Sequence, residues 1–134
     1  MNTALLVAGS AFLGLAALIH VYIFIMESLT WTKPATWKRF GLTTQQDAET
    51  TKPMAYNQGF YNLFLAIGVV IGIVLLFDPA TAQAGAAFIV LAAGSMVAAA
   101  TVLVTSNPKL AKAAATQGAA PLVGLVLVIA GLLA

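Results

Sequence analysis

The chain has 134 residues, of which 61% are hydrophobic and 7% charged; its net charge is +2 and it holds no cysteine. A soluble domain carries roughly 25% charged residues, so water is excluded as the solvent for most of this surface. The missing thiols exclude disulfides, thiolate metal sites and dithiol redox chemistry, and the basic residues form no aromatic-interleaved stripe of the kind that binds nucleic acid.

Four apolar runs organise the chain and predict helices at about residues 3–27, 54–77, 85–104 and 118–134. Each approaches the roughly 20 residues that cross a hydrocarbon core about 30 Å thick. In lipid the backbone has to satisfy its own hydrogen bonds, so runs of this length form helices and not strands. The first run has no Lys or Arg before Lys33. It therefore lacks the basic start of a signal peptide and is expected to be a retained helix.

The connection after it, Ser28 to Pro53, is long and polar. Trp31 and Trp37 flank Lys33 and Pro34 and stand with Lys38 and Arg39 as candidate interfacial anchors, an aromatic and basic belt at headgroup level. Pro34 suits the first turn of a short helix that runs to Phe40, and Gly41 is placed to end it. Thr44 followed by Asp47 is a capping pattern that predicts a second short interfacial helix over "TQQDAETTK". The hairpin is either an inert surface segment or a lid over the mouth of the bundle. Further along, "DPATAQ" makes a tight turn, and "TSNPKLAKAAATQ" makes a connection holding Lys109 and Lys112.

All six basic residues fall in the first and third connections. The positive-inside rule places those connections in the cytoplasm and both termini outside, in a multi-pass cell-membrane protein. The expected fold is an all-α membrane protein, a single four-transmembrane-helix bundle with a long first cytoplasmic loop.

Depth follows from the helical rise of about 1.5 Å per residue. On that scale His20 lies near the cytoplasmic end of the first helix and Glu27 lies at that end. The second helix opens with Asn57, Gln58, Tyr61 and Asn62, in two i,i+4 pairs. His20 and Glu27 are seven residues apart and share a helical face. Ionisable residues in membranes usually face inward and find partners. These six residues are therefore expected to line a polar pocket in the cytoplasmic half. Each also has a bland role: His20 as a bridge between helices, Glu27 paired with Lys33, Lys38 or Lys52, and the amides as interhelical glue.

Several chemistries are disfavoured. One histidine with a carboxylate two turns away makes a poor metal site, and no metal or cofactor is expected. Neither a Gly-rich phosphate loop nor a Gly-x-Ser-x-Gly elbow is present. "GVVIG", Gly68 to Gly72, permits close helix approach, either inside the bundle or at a homo-oligomer seam.

The segments "HVYIFIMESLTWTKP", "FGL", "AETTK" and "NQGFYNLFLA" carry a family resemblance. They resemble an uncharacterised family of small four-helix bacterial membrane proteins, a domain of unknown function. The pattern falls on His20, Tyr22, Glu27, Trp31, Pro34, Gly41, Asn57, Gln58, Gly59, Tyr61 and Asn62. The resemblance implies the four-helix membrane fold and carries no activity.

Three functional readings follow. The first is an accessory or interaction subunit, with a basic loop on the anionic cytoplasmic leaflet and a homo-oligomer or larger membrane complex as its assembly. The second is a small-solute or proton-coupled carrier with His20 as the group that changes charge. The third is an enzyme acting on a lipid-soluble substrate, with His20 as general acid or base.

Overall fold

The apolar runs fold as long helices, and the polar connection between the first two folds as short turns. The computed structural model describes residues 1–134 and contains no strand. Helix α1 spans Thr3–Phe24 and continues into a π-helical turn, Ile25–Leu29. Helix α2, Pro34–Trp37, leads into a 3-10 turn at Lys38–Phe40. Helices α3 (Gln45–Leu76), α4 (Ala82–Ser106) and α5 (Ala111–Leu133) complete the chain, with a second 3-10 turn at Pro108–Leu110 before α5. Four helical segments are long and apolar enough to cross a membrane: Thr3–Leu29, Gln45–Leu76, Ala82–Ser106 and Pro108–Leu133.

The chain divides into two units. The first comprises Met1–Ile19 and Leu65–Ala134, and glycines set its packing. A Cβ at Gly9 would lie 2.8 Å from Val128, one at Gly124 would meet Leu13, and one at Gly131 would meet Leu6. Each step along α1 is thus one step back along α5, so the pair is antiparallel. Gly72 meets Ile89 and the Gly85 carbonyl in the same way, and Gly68 meets Ala92. The Gly68–Gly72 motif is therefore spent on α3–α4 packing inside this unit. Leu6, Leu13, Val69, Leu76, Ile89, Met96 and Val128 fill the space that these close approaches leave. Helix association in lipid rests on such van der Waals contact, because burial from water supplies no drive there.

The second unit is His20–Phe64. It holds the end of α1, the π-turn, α2 and the first five turns of α3. Pro34 opens α2 with its fixed φ, and Gly41 closes the following turn at φ 81, a left-handed conformation that favours glycine. Thr44 Oγ1 accepts the Asp47 amide at 3.1 Å and caps α3.

Two helices start earlier than their apolar runs. The "TQQDAETTK" segment is not a separate short helix but the opening of α3, which begins at Gln45 instead of Met54. Pro53 lies inside that helix and removes one donor without ending it. Ala48 and Ala55, on either side of it, are buried, and this packing offsets the lost bond. Likewise α5 begins at Ala111 and runs through a buried Pro121.

Candidate functional site

The candidate site lies wholly within the second unit and is built on the π-turn. Its defining bond runs from the Thr30 N–H to the Ile25 carbonyl at 3.0 Å, one residue longer than an α-helical bond. Glu27 sits inside this turn and is 8% exposed. Opposite it, α3 presents Gly59. A Cβ there would overlap the Ser28 hydroxyl and come within 3.1 Å of Glu27 Cβ. The missing side chain brings the α3 backbone against the turn, and the Ser28 hydroxyl then donates to the Tyr56 carbonyl at 2.8 Å.

This approach determines what Glu27 meets. Asn62 Nδ2 donates to Glu27 Oε2 at 2.9 Å and reaches the Gln58 carbonyl at 3.2 Å. The amide N–H donates to a carboxyl oxygen, so the buried acid finds its hydrogen-bond partner on α3. Of the partners weighed for Glu27, Asn62 takes the carboxylate and the lysines do not. Phe24 and Phe60 pack edge to face at 5.1 Å, and the Tyr56 ring meets Phe60 at a tilt, also at 5.1 Å. His20 is also buried, at 2% exposure, one turn before Phe24.

The remaining polar residues of α3 do not converge on this pair. Asn57, Gln58 and Tyr61 are exposed. They point outward on one face with Met54, at the i, i+3, i+4, i+7 spacing of a single helical stripe. The six residues expected to line one pocket therefore separate into a buried set, His20, Glu27 and half-buried Asn62, and an outward stripe. The physical reason is helical phase: Asn62 lies about 100° around the helix from Tyr61.

The hairpin is knitted by its aromatic residues. The Trp31 indole N–H donates to the Ala48 carbonyl at 3.0 Å, and its ring meets Phe40 edge-on at 5.0 Å. The Trp37 N–H donates to Gln45 Oε1 at 3.0 Å, while Gln45 Nε2 donates to the Thr32 carbonyl and to Glu49. Both indoles are buried, so the tryptophans expected as interfacial anchors are instead the internal rivets of the hairpin. Each N–H finds an acceptor within the unit, and that satisfaction is what allows an indole to be buried. Lys38 and Arg39 remain exposed. The Lys38 ammonium lies 5.5 Å from the Trp37 ring centroid, and Arg39 Nη1 donates to the Tyr22 hydroxyl at 2.9 Å.

Sequence reasoning did not single out Ser28, and it did not pair Arg39 with Tyr22. The signal for Ser28 was faint: a small hydroxyl next to an acid, opposite a helix carrying a glycine. The Tyr22–Arg39 bond joins residues 17 positions apart across a turn, and no periodicity reports that.

The chain brings together no group of three or more His, Asp or Glu side chains that could hold a metal ion. The site offers a buried carboxyl held by an amide, an outward polar and aromatic stripe on α3, and a hairpin with basic residues on its exposed side. No curated protein and no solved structure matches the chain. A family model does match, over residues 14–129, and this range takes in the π-turn, the hairpin and all of α3. The chain belongs to the family described as "Protein of unknown function (DUF1304)".

Proposed function

We propose that this protein is an accessory or interaction subunit of the membrane, docking a partner through the outward face of α3. One observation carries this reading: Met54, Asn57, Gln58 and Tyr61 form a continuous exposed stripe that nothing in the chain covers, with Met54 70% and Tyr61 54% exposed. Tyrosine and methionine are enriched at protein interfaces, and flanking amides supply directional hydrogen bonds. The Glu27–Asn62 pair and the two indole bonds stiffen the surface behind the stripe, which lowers the ordering cost of docking.

Charge supports a cytoplasmic location for this surface. Lys33, Lys38, Arg39, Lys52, Lys109 and Lys112 all fall in the first and third connections, and the anionic inner leaflet attracts such residues at about 1 kcal/mol each. The Tyr22–Arg39 bond supports a boundary depth. Thr3 to Tyr22 is a run of 20 residues, the length that crosses one hydrocarbon core, and a guanidinium belongs at its edge. In this arrangement Glu27, Asn62 and the α3 stripe lie at the end of the spanning segments that carries the hairpin.

The test exploits the natural absence of cysteine. Single cysteines at Asn57, Tyr61 and, as control, lipid-facing Leu91 are cross-linked in native membranes with a short bifunctional reagent. The expected result is one discrete adduct from positions 57 and 61, of the same mass from both, and none from 91. The same adduct from all three positions, or none from any, overturns the reading. An adduct of twice the chain mass identifies the partner as a second copy.

The burial of His20 and Glu27 on one helix favours a second reading, proton-coupled passage. Reconstituted vesicles under a pH gradient distinguish it: a proton leak that Glu27→Gln abolishes would move this reading to first place.

A further inference from the structure

The first unit carries a second feature, independent of the α3 stripe. An open groove of about 310 Å³ runs along the α1–α5 seam, walled by Phe12, Leu15 and Ile19 on one side and by Ala115, Ala119 and Val123 on the other. Its lining is almost wholly apolar, and Thr116, the one polar residue, turns its hydroxyl back to the Lys112 carbonyl at 2.8 Å. The groove exists because α5 is built of alanines here while α1 presents bulky side chains. Phe12 is 41% and Leu15 48% exposed, so the groove opens outward.

Lys112 lies one helical turn before Ala115 and Thr116, on the face that forms the α5 wall. Lys112 to Leu133 is a run of 22 residues, about 33 Å of helix, which matches one hydrocarbon core. With α5 across the bilayer, the Lys112 ammonium falls at headgroup level and the groove runs below it, parallel to the lipid chains. The Ala115 to Val123 wall extends about 12 Å into the apolar layer. Between residues 82 and 134 there is no Asp or Glu, so the side-chain charges that α5 and the turn before it bring to this mouth are Lys109 and Lys112, both positive.

We infer that the α1–α5 groove is a binding site for an anionic phospholipid, with one acyl chain in the groove and the phosphate at Lys112. The match is one of charge and of shape. A lysine near an anionic headgroup contributes enough to favour it about fivefold over a zwitterionic one. A partner helix fits less well, because interfaces between membrane helices are enriched in small residues, whereas the α1 wall is Phe12, Leu15 and Ile19. A flexible acyl chain accommodates one bulky wall.

Native mass spectrometry of the full chain, released from detergent in the presence of phosphatidylglycerol or phosphatidylcholine with identical acyl chains, tests this. The expected result is one retained phosphatidylglycerol per chain, at about five times the occupancy of phosphatidylcholine. Lys112→Gln brings phosphatidylglycerol down to the phosphatidylcholine level, whereas Lys52→Gln, the same charge change in the other unit, leaves it unchanged. Ala119→Phe fills the groove and lowers retention of both lipids; if that variant does not elute as a folded species, Ala115→Leu reads the same effect. Equal retention of the two lipids by the unaltered chain overturns the inference. So does an equal loss from Lys52→Gln, or a dimer that Ala119→Phe dissociates without changing lipid occupancy.

Discussion

At the scale of single residues, the Glu27–Asn62 bond is the contact on which the site turns. A hydrogen bond to a buried carboxyl is worth more than one between neutral surface groups, because the partner left behind bears the desolvation cost. Asn62→Ala is expected to lower stability in detergent by about 1–3 kcal/mol. Combining it with Glu27→Gln should cost less than the two separate losses summed, since the pair shares one interaction. Thermal unfolding of the four species measures this; strict additivity would show that the bond is idle. Gly59 is the complementary case. An alanine there would drive a methyl into the Ser28 hydroxyl and Glu27 Cβ, an overpacking cost of about 1–3 kcal/mol. Gly14, also mid-helix, has nothing within 4 Å of an added Cβ. Gly14→Ala is expected to be neutral or stabilising by up to about 1 kcal/mol, through helix propensity alone. The melting temperatures of the two variants should therefore move apart; a shared shift would mean the α3 approach to the π-turn is not tight.

At the scale of elements, helices that look equally apolar differ in how closely they are held. The α3–α4 pair meets backbone to backbone: a Cβ at Gly85 would lie 2.7 Å from the Leu76 nitrogen and 2.8 Å from the Gly72 carbonyl oxygen. Neither atom is the end of a flexible side chain, so nothing can yield cheaply. Gly94, nine residues along the same helix, meets nothing within 4 Å. Gly85→Ala is expected to cost at least the upper part of the 1–3 kcal/mol overpacking range, while Gly94→Ala is tolerated. Comparison of the two in an unfolding titration tests whether this contact fixes the register of α3 against α4. The hairpin behaves differently. Its order comes from hydrogen bonds at Trp31, Trp37 and Gln45, not from lipid-facing area. Its amides should exchange faster when Trp37→Phe removes the bond to Gln45, while those of α4 and α5 keep their protection.

At the scale of the whole molecule, the distribution of charge predicts which way the chain crosses the membrane. Six basic residues in the first and third connections and none in the second give a definite expectation. Single cysteines at Lys33 and Lys109 should resist a membrane-impermeant thiol reagent in intact cells and react after lysis. One at Pro79, in the turn between α3 and α4, should react in both. Labelling in the reverse pattern would move the α3 stripe to the outside and remove the anionic leaflet from the proposed docking surface.

Much of this molecule is legible in its sequence. The number of helices long and apolar enough to span, the turn from Pro34 to Gly41 and the Thr44 cap follow from local composition, because lipid permits few alternatives to a helix and Pro, Gly and Thr punctuate the chain locally. The sequence also singled out Glu27 and Asn62. Other features belong to the tertiary structure alone: that Asn62 faces Glu27 while Asn57, Gln58 and Tyr61 turn away, that Trp31 and Trp37 point into the hairpin, and that α3 runs through Pro53 from Gln45. Each depends on the phase of one helix against another, which the close approach at Gly59 and the extra residue in the π-turn set together. Apolar periodicity cannot report that phase in a helix whose lipid-facing and protein-facing sides are both hydrophobic.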